Sequence, residues 1–284
     1  MNPIFSEEFL SESADQIAET IRTEGIYVCE RAVLPQAVDA IMAESGGLHF
    51  RINENTLLPV AFKGQTYQNH FIALSRTAFD LVCHDRITSI SRASLGPKFA
   101  MVGKRLYETR SDSYMVFHSD LGAETRDPAR VDGLGFILYM SDVTDGAFEI
   151  VEGTHRDGAS YTGSREHDQD LVRTGAIRAY PMPKGSYIIY NGRLIHRAQP
   201  LPADGAPRTS LHFQVNRDAA PGEPIYVNIG WLGDMSEDAR QLLGFGVPNI
   251  IPHTYPVTTV RSIPKTHKEA VAYIREELKH LIDR

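Results

Sequence analysis

A histidine and an aspartate stand one residue apart in the stretch 114-YMVFHSDLGAE-124, just where an apolar run ends. In a β-strand, residues i and i+2 point to the same face, so His118 and Asp120 can reach one point in space. A second histidine, His196, follows a strongly β-like run, 185-GSYIIYNGRLI-195. Two imidazoles and one carboxylate form the ligand set that holds Fe(II) and leaves positions open for substrate and O2. We therefore predict a metal site made by His118, Asp120 and His196.

A His-x-Asp triplet is a weak signal by itself, because the chain has 11 histidines. A rival triplet, His155-Arg156-Asp157, follows Gly153-Thr154. The two predicted histidine ligands could also be buried, hydrogen-bonded residues of a β-core, and Asp120 could cap the turn that follows it. The metal hypothesis therefore depends on further elements of the pattern.

An arginine, Arg208, opens the β-like run RTSLHFQVN shortly after His196. A planar guanidinium can hold a carboxylate with two hydrogen bonds, and 2-oxoglutarate presents such a carboxylate when its keto acid end chelates iron. Ser210 would share the strand face of Arg208 and could add a hydroxyl. We predict that Arg208 and Ser210 bind 2-oxoglutarate. The alternative for Arg208 is an exposed arginine on an edge strand, and for His212, farther along this face, we expect a core or supporting role.

The segments that must position these residues show two kinds of sequence pattern, one helical and one β-like. Helical periodicity predicts helices over 6–24, 34–45 and 76–95, the last as one helix or a pair, and a closing helix over 267–284. The stretch IYVCE predicts a short strand after the first helix. From residue 98 onward, β-like runs alternate with turn signals, a spacing typical of a sandwich or barrel.

These patterns predict a mainly β protein with flanking helices. No linker rich in Gly, Ser or Pro divides the chain, so we expect a single domain over 1–284. Within it, 1–97 would be mainly helical support, 98–230 the β core and 231–284 a C-terminal extension. Two polar segments, 121–133 and 155–174, are expected to be loops, either lids over the site or solvated surface.

The sequence resembles the phytanoyl-CoA dioxygenase-like family of Fe(II)/2-oxoglutarate-dependent oxygenases over most of its length. The resemblance lies in the runs CHDRITSISRASLG, FHSD, DVTDGAFEIVEGTHR, PKGSYIIYNGRLIHRA and RTS, in this order. The chain departs from the family pattern at Glu152 (usually Pro), Thr154 (usually Ser), Ser186 (usually Asp) and Phe117 (commonly Trp), none of which is a predicted ligand. The resemblance implies a double-stranded β-helix, that is, a jelly-roll, cupin-like core.

The resemblance also implies an activity. His118, Asp120 and His196 would hold Fe(II), and Arg208 would anchor 2-oxoglutarate as cosubstrate. With O2, such an enzyme hydroxylates or otherwise oxidises an unactivated C–H bond and releases succinate and CO2. The family implies a small-molecule substrate in a biosynthetic or tailoring pathway. It often uses the preceding strand for a further polar contact, and the sequence does not choose among Lys104, Arg105 and Tyr107.

Composition narrows the class of protein. The net charge of −7 disfavours a nucleic-acid partner. No window of the sequence is apolar enough for a membrane span, and two distant cysteines fit a reducing, cytoplasmic compartment. Oligomeric state is not readable. Two alternatives remain open: a cupin-like metal enzyme without 2-oxoglutarate, and a non-catalytic binding module on the same core.

Overall fold

The computed structural model describes residues 3–45, 65–68, 71–110, 115–121, 127, 130–156, 161, 163–219, 225–245 and 254–257. The predicted closing helix over 267–284 lies outside these residues. So does much of the polar segment 121–133. Among the described residues, no helix is long and apolar enough to cross a membrane.

The amino-terminal helices differ from the prediction at one point. The predicted helix over 6–24 is two helices, α1 (Glu7–Ser11) and α2 (Ala14–Glu24). The chain is extended at Glu12 because Ser13 starts a new helix, forming a reciprocal capping box with Gln16. Gly25 then ends α2 in the left-handed conformation, φ +82°, which glycine adopts without strain.

The next elements follow the predicted order. They are β1 (Ile26–Cys29), α3 (Pro35–Glu44), β2 (Gln65–Gln68), α4 (Phe71–Leu74), α5 (Arg76–Val82) and α6 (Asp85–Leu95). The predicted helix over 76–95 is therefore a pair, since the His84 side chain caps the second helix. Strand β2 and helix α4 were not predicted. Residues 46–64 lie outside the described part, so a helical N-terminal third remains a prediction.

Among the described residues, the largest sheet has six strands in the order β1-β7-β4-β9-β3-β2, with every pairing antiparallel. Its further strands are β3 (Phe99–Thr109), β4 (Gly133–Tyr139), β7 (Tyr187–Asn191) and β9 (Arg208–Arg217). Alternate residues such as Phe136, Tyr187 and Phe213 pack on the helices in the larger apolar core. The opposite face of the sheet is left for a second layer.

That second layer is a three-stranded antiparallel sheet in the order β6-β5-β8. Its strands are β5 (Val143–Val151), β6 (Ile177–Met182) and β8 (His196–Ala198). A second apolar core joins the sheets, with Ile137 and Ile188 from the larger one against Phe148 and Ile150 from the smaller. All seven residues of β4 are buried because both of its faces are covered. Two packed antiparallel sheets are consistent with a jelly-roll core.

The remaining described elements are α7 (Arg165–Thr174), the 3₁₀ turns Thr154–Arg156 and Ile229–Asp234, β10 (Ile225–Asn228), α8 (Glu237–Leu242) and β11 (Thr254–Val257). The segment 155–174, expected to be a loop, contains the helix α7 in its described part. Ser164 caps that helix, and Asp168 turns inward from it. Strand β10 pairs in parallel with β11, so a strand of the expected β core joins one of the expected C-terminal extension.

Candidate metal centre

The segment that carries His118 and Asp120 is held against β8 by backbone hydrogen bonds. His118 and His196 lie directly opposite each other, and each donates its N–H to the carbonyl of the other at 2.9 Å. The Asp120 N–H donates to Gly192 O at 2.8 Å. The apolar run that ends at His118 fits a β-strand, but in its described part the chain makes one isolated β-bridge, at His118. This bridge brings the three predicted ligands together.

The other side of the same segment is held by the chain before α7. The Ser119 N–H donates to Tyr161 O, and the Gly163 N–H donates to Phe117 O, each at 2.9 Å. The Phe117 N–H points at the buried Asp168 carboxylate, 3.2 and 3.3 Å from its two oxygens. The ligand segment is therefore fixed from both edges although it is not a regular strand.

The three side chains have the spacing of a metal site. One ligand atom from each of His118, Asp120 and His196 lies within 4.8 Å of the others. Each histidine Nε2 is 3.8 Å from an Asp120 oxygen, which is too long for a hydrogen bond. Both Nδ1 atoms lie 2.9 Å from a backbone carbonyl, Val116 O and Leu194 O respectively. A carbonyl accepts hydrogen bonds, so Nδ1 carries a proton, and in the neutral ring Nε2 then keeps its lone pair for a metal.

The protonation states suit a cation. Burial lowers the pKa of His196 to about 4, so its imidazole is neutral at neutral pH. Burial alone would raise the pKa of Asp120. The neighbouring imidazoles and a hydrogen bond from the Tyr190 hydroxyl outweigh burial and hold this pKa below its ordinary value. A neutral imidazole and an ionised carboxylate are the forms that ligate metals.

One side chain of the large sheet, Tyr190, reaches this carboxylate, and a second, His212, lies next to the Tyr190 hydroxyl. The Tyr190 hydroxyl donates to Asp120 Oδ2 at 2.8 Å and lies 3.2 Å from His212 Nε2. Burial, followed by the nearby Asp120 charge, raises the pKa of Tyr190 well above its usual value, so the hydroxyl stays protonated. Burial lowers the pKa of His212 to about 3, so this ring is neutral. The supporting role expected of His212 fits this position, whereas Tyr190 was not predicted.

The predicted 2-oxoglutarate ligands lie on the site face of β9. Arg208 and Ser210 are 3% and 1% exposed, and they share this face with His212. Arg208 Nη2 donates to Thr109 Oγ1 at 3.3 Å. The Arg208 Nε and the Ser210 hydroxyl, both buried, have no hydrogen-bond partner within the described part of the chain. Buried polar atoms of this kind normally have partners, so a bound acceptor is expected beside them.

The structure separates the three undecided residues of β3 by sheet face. Arg105 pairs with His212, and Tyr107 pairs with Ser210, so both lie on the face of the candidate site. Lys104 pairs with Phe213 and lies on the opposite face, toward the helices. A contact from this strand to a bound molecule is therefore open to Arg105 and Tyr107.

The rival triplet does not form a comparable cluster in the described structure. His155 is buried on a 3₁₀ turn, where its ring packs so close to Gly25 that a side chain there would overlap it. Asp157 lies outside the described residues. Among the described residues, the group of His118, Asp120 and His196 is the one with metal-ligand spacing.

A buried ion network around Arg197 packs against the segment that carries His118 and Asp120. The sequence analysis does not predict this network. Arg197 Nε donates to Glu149 Oε1, and its Nη1 donates to Asp168 Oδ2 at 3.2 Å. The guanidinium carbon lies 4.1 Å from the centre of the Phe117 ring. The network thus joins β5, β8, α7 and the ligand segment. The sequence offers no signal for it beyond the position of Arg197 next to His196.

Comparisons with known proteins agree with this architecture. A family model described as phytanoyl-CoA dioxygenase (PhyH) matches residues 21–209. Among curated proteins, no sequence gives a significant match. The chain is similar to a crystal structure of HygX from Streptomyces hygroscopicus with nickel and 2-oxoglutarate bound: TM-score 0.58, 16% identity, over 84% of this chain and 95% of that one. A HygX structure that also contains hygromycin B has a TM-score of 0.57 and 17% identity, over 78% of this chain and 91% of that one. At this identity the likeness to HygX shows a shared fold.

Proposed function

The chain belongs to the phytanoyl-CoA dioxygenase family, and on that premise we propose that it is a non-haem Fe(II)- and 2-oxoglutarate-dependent oxygenase. It would hydroxylate, or otherwise oxidise, an unactivated C–H bond of a small molecule. One observation carries the proposal: the ligand atoms of His118, Asp120 and His196 converge within 4.8 Å, with each histidine Nδ1 turned to a backbone carbonyl. This is the facial ligand set of non-haem Fe(II) oxygenases.

The same residues suit Fe(II) in charge as well as in spacing. Two imidazoles and one carboxylate, when bound to the cation, would reduce its charge without cancelling it. When bound, Fe(II) and 2-oxoglutarate supply the oxidising chemistry with O2, with succinate and CO2 as co-products. The protein has to hold the ligands, anchor the cosubstrate and place the substrate.

Arg208 is proposed as the anchor of the distal carboxylate of 2-oxoglutarate, with Ser210 beside it. Their unpartnered buried donors are the observation that supports this role. A carboxylate accepts from both at once, which would satisfy an Nε–H and a hydroxyl that otherwise cost free energy when buried. Thr109, already bonded to Arg208, keeps the guanidinium in place.

The three candidate ligands differ in how far solvent reaches them. The side chain of His118 is 28% exposed, whereas those of Asp120 and His196 are 16% and 5% exposed. Substrate and O2 would therefore enter on the side of His118. The buried side, lined by Phe148 and Tyr190 against the His196 ring, excludes water and keeps that imidazole in one orientation.

A small-molecule substrate is proposed from the family and from HygX, a protein of the same fold that has been crystallised with hygromycin B. The identity of the substrate is left to a screen by succinate release. We further propose that the protein acts in the cytoplasm, in a biosynthetic or tailoring pathway.

The test is an anaerobic titration of the metal-free protein with Fe(II) and then 2-oxoglutarate, followed by visible absorption. Wild type should develop the weak charge-transfer band of the chelated complex. His118→Ala should abolish the band because a ligand is lost. Arg208→Ala should raise the 2-oxoglutarate concentration needed for it, and Arg208→Lys should restore binding only in part, since ammonium lacks the two-point fork.

His167→Ala is the matched control, because this histidine is exposed on α7. It should titrate like wild type. A folded, iron-loaded wild type without the band would overturn the 2-oxoglutarate proposal. A band that survives His118→Ala unchanged would overturn the ligand assignment, and an unchanged 2-oxoglutarate requirement in Arg208→Ala would overturn the anchor.

A further inference from the structure

The Asp120 carboxylate is held by a tyrosine that lies on a different strand from the three ligands. Resting on the proposed function, we infer that Tyr190 is a positioning residue: its hydroxyl binds Asp120 Oδ2, fixes the carboxylate in one orientation and opposes binding of a metal through both oxygens. The hydroxyl-to-Oδ2 distance is 2.8 Å, and Tyr190 is 1% exposed. Water therefore cannot readily substitute for the hydroxyl.

Counting donors gives this hydrogen bond a direction. An ionised carboxylate can only accept, so the single hydroxyl proton of Tyr190 points to Asp120. The His212 Nε2 atom, 3.2 Å from the same hydroxyl oxygen, then has to donate. The chain of bonds runs from His212 Nε2–H to the Tyr190 hydroxyl and on to Asp120 Oδ2. Each donor in this chain has its acceptor, so the carboxylate has one favoured position.

The fold contains a space that fits this tyrosine. Gly135 on β4 lies directly opposite Tyr190 on β7, and a Cβ atom at Gly135 would overlap the Tyr190 ring. The ring also packs against His196 and Phe148, with centroids 4.6 and 5.0 Å apart. The ring is thus fixed on three sides, which aims its hydroxyl at the carboxylate.

The same chain of bonds connects the metal ligand to the cosubstrate strand. His212 lies on β9, on the face that also carries Arg208 and Ser210. A shift of β9 toward or away from β7 would therefore change the hydrogen bond that holds Asp120. Tyr190 thus links Asp120 to the strand that carries the proposed 2-oxoglutarate ligands.

The experiment uses Co(II) binding to the metal-free full-length protein, followed by visible absorption and calorimetry, with no turnover. Tyr190→Phe removes one hydroxyl and keeps the ring. It should raise the Co(II) dissociation constant about 10- to 100-fold, as loss of a partner that orients a metal ligand does. It should also change the Co(II) visible spectrum, since the carboxylate is free to turn.

Tyr187→Phe is the matched control. Tyr187 is on the same strand and fully buried, but its hydroxyl faces the helices and has no hydrogen-bond partner in the described structure. This variant should keep the wild-type spectrum and dissociation constant. A Tyr190→Phe protein that binds Co(II) as Tyr187→Phe does, with the same spectrum, would overturn the inference.

A second variant covers the case in which Tyr190→Phe does not fold. His212→Asn keeps the Tyr190 hydroxyl but removes the ring nitrogen that donates to it. His212→Asn should weaken Co(II) binding, though less than Tyr190→Phe, and should change the spectrum in a similar way. A His212→Asn protein that binds Co(II) as wild type does would overturn the inference. If wild type itself binds no Co(II) and no Fe(II), the proposed function fails, which is distinguishable from normal wild-type binding with an unaffected Tyr190→Phe.

Discussion

Replacing Arg197 by leucine should destabilise the protein far more than the same change at an exposed arginine. Arg197 is 7% exposed and is paired with Glu149 and Asp168, which are 3% and 1% exposed. Removing one partner of a buried ion pair costs about 3–5 kcal/mol, because the remaining charge is left without compensation. Here two carboxylates are affected, and the contact with the Phe117 ring is lost as well.

The expected loss of about 3–5 kcal/mol is a large share of a total stability of roughly 5–15 kcal/mol. Other hydrogen bonds limit it, because Gln199 still donates to Glu149 and the Phe117 N–H still points at Asp168. At roughly 2–4 °C per kcal/mol, the melting temperature should fall by about 6–20 °C. Urea unfolding of the metal-free protein, followed by circular dichroism, measures the free energy directly.

Arg173→Leu is the matched control, because Arg173 pairs with Asp170 at 2.9 Å while both side chains are largely exposed. Solvent screens such a pair, so the control should change the free energy of unfolding by less than about 1 kcal/mol. In the Arg197→Leu background, adding Glu149→Gln should recover part of the loss by removing an unpaired charge. Equal effects at Arg197 and Arg173 would refute the reasoning that burial makes this network matter.

Three further predictions concern other parts of the molecule. Gly135→Ala should cost about 1–3 kcal/mol by urea unfolding because the methyl group overlaps Tyr190, whereas Gly103→Ala, with open space around it, should not; equal costs would contradict the packing argument. Burial raises the pKa of Tyr139 to about 12, so the folded state holds this proton more tightly than the unfolded chain, whose tyrosines titrate near about 10. Stability should therefore fall as the pH rises from about 10 toward 12, and Tyr139→Phe should flatten that slope in urea unfolding; an unchanged slope would assign the loss to other groups. Fe(II) at about 100 times its dissociation constant should add about 2.7 kcal/mol of stability, reversibly with a chelator and not in His118→Ala, and a gain that persists in that variant would place the metal elsewhere.

Much of the architecture could be predicted because the information is local. Alternating or continuous apolar runs define strands wherever one or both faces are buried, and β7 and β9 lie close to the runs GSYIIYNGRLI and RTSLHFQVN. The break between α1 and α2 was also visible in principle. Ser13 and Gln16 have the spacing of a capping box, but the apolar residues keep a helical periodicity across 6–24 that hides the break.

The predicted ligand residues were also readable from types and spacing. His118 and Asp120 occupy alternate positions, and only a few residue types can hold a divalent cation. His196 and Arg208 are candidates because each lies beside a β-like run, and the family resemblance implies the same two residues. His118 and Asp120 meet His196 through backbone hydrogen bonds between segments far apart in the chain, among them the two of the His118–His196 bridge.

Tertiary structure alone decided what supports these candidate ligands. The hydroxyl of Tyr190 on Asp120, the carboxylate of Asp168 under Phe117 and the buried charge of Arg197 are all contacts between distant segments. The register of β3 against β9 likewise decided that Arg105, and not Lys104, faces the site. A sequence pattern states which residue types can ligate or pair. Which of them meet is set by strand register and sheet packing, because a shift of one residue exchanges the two faces of a strand.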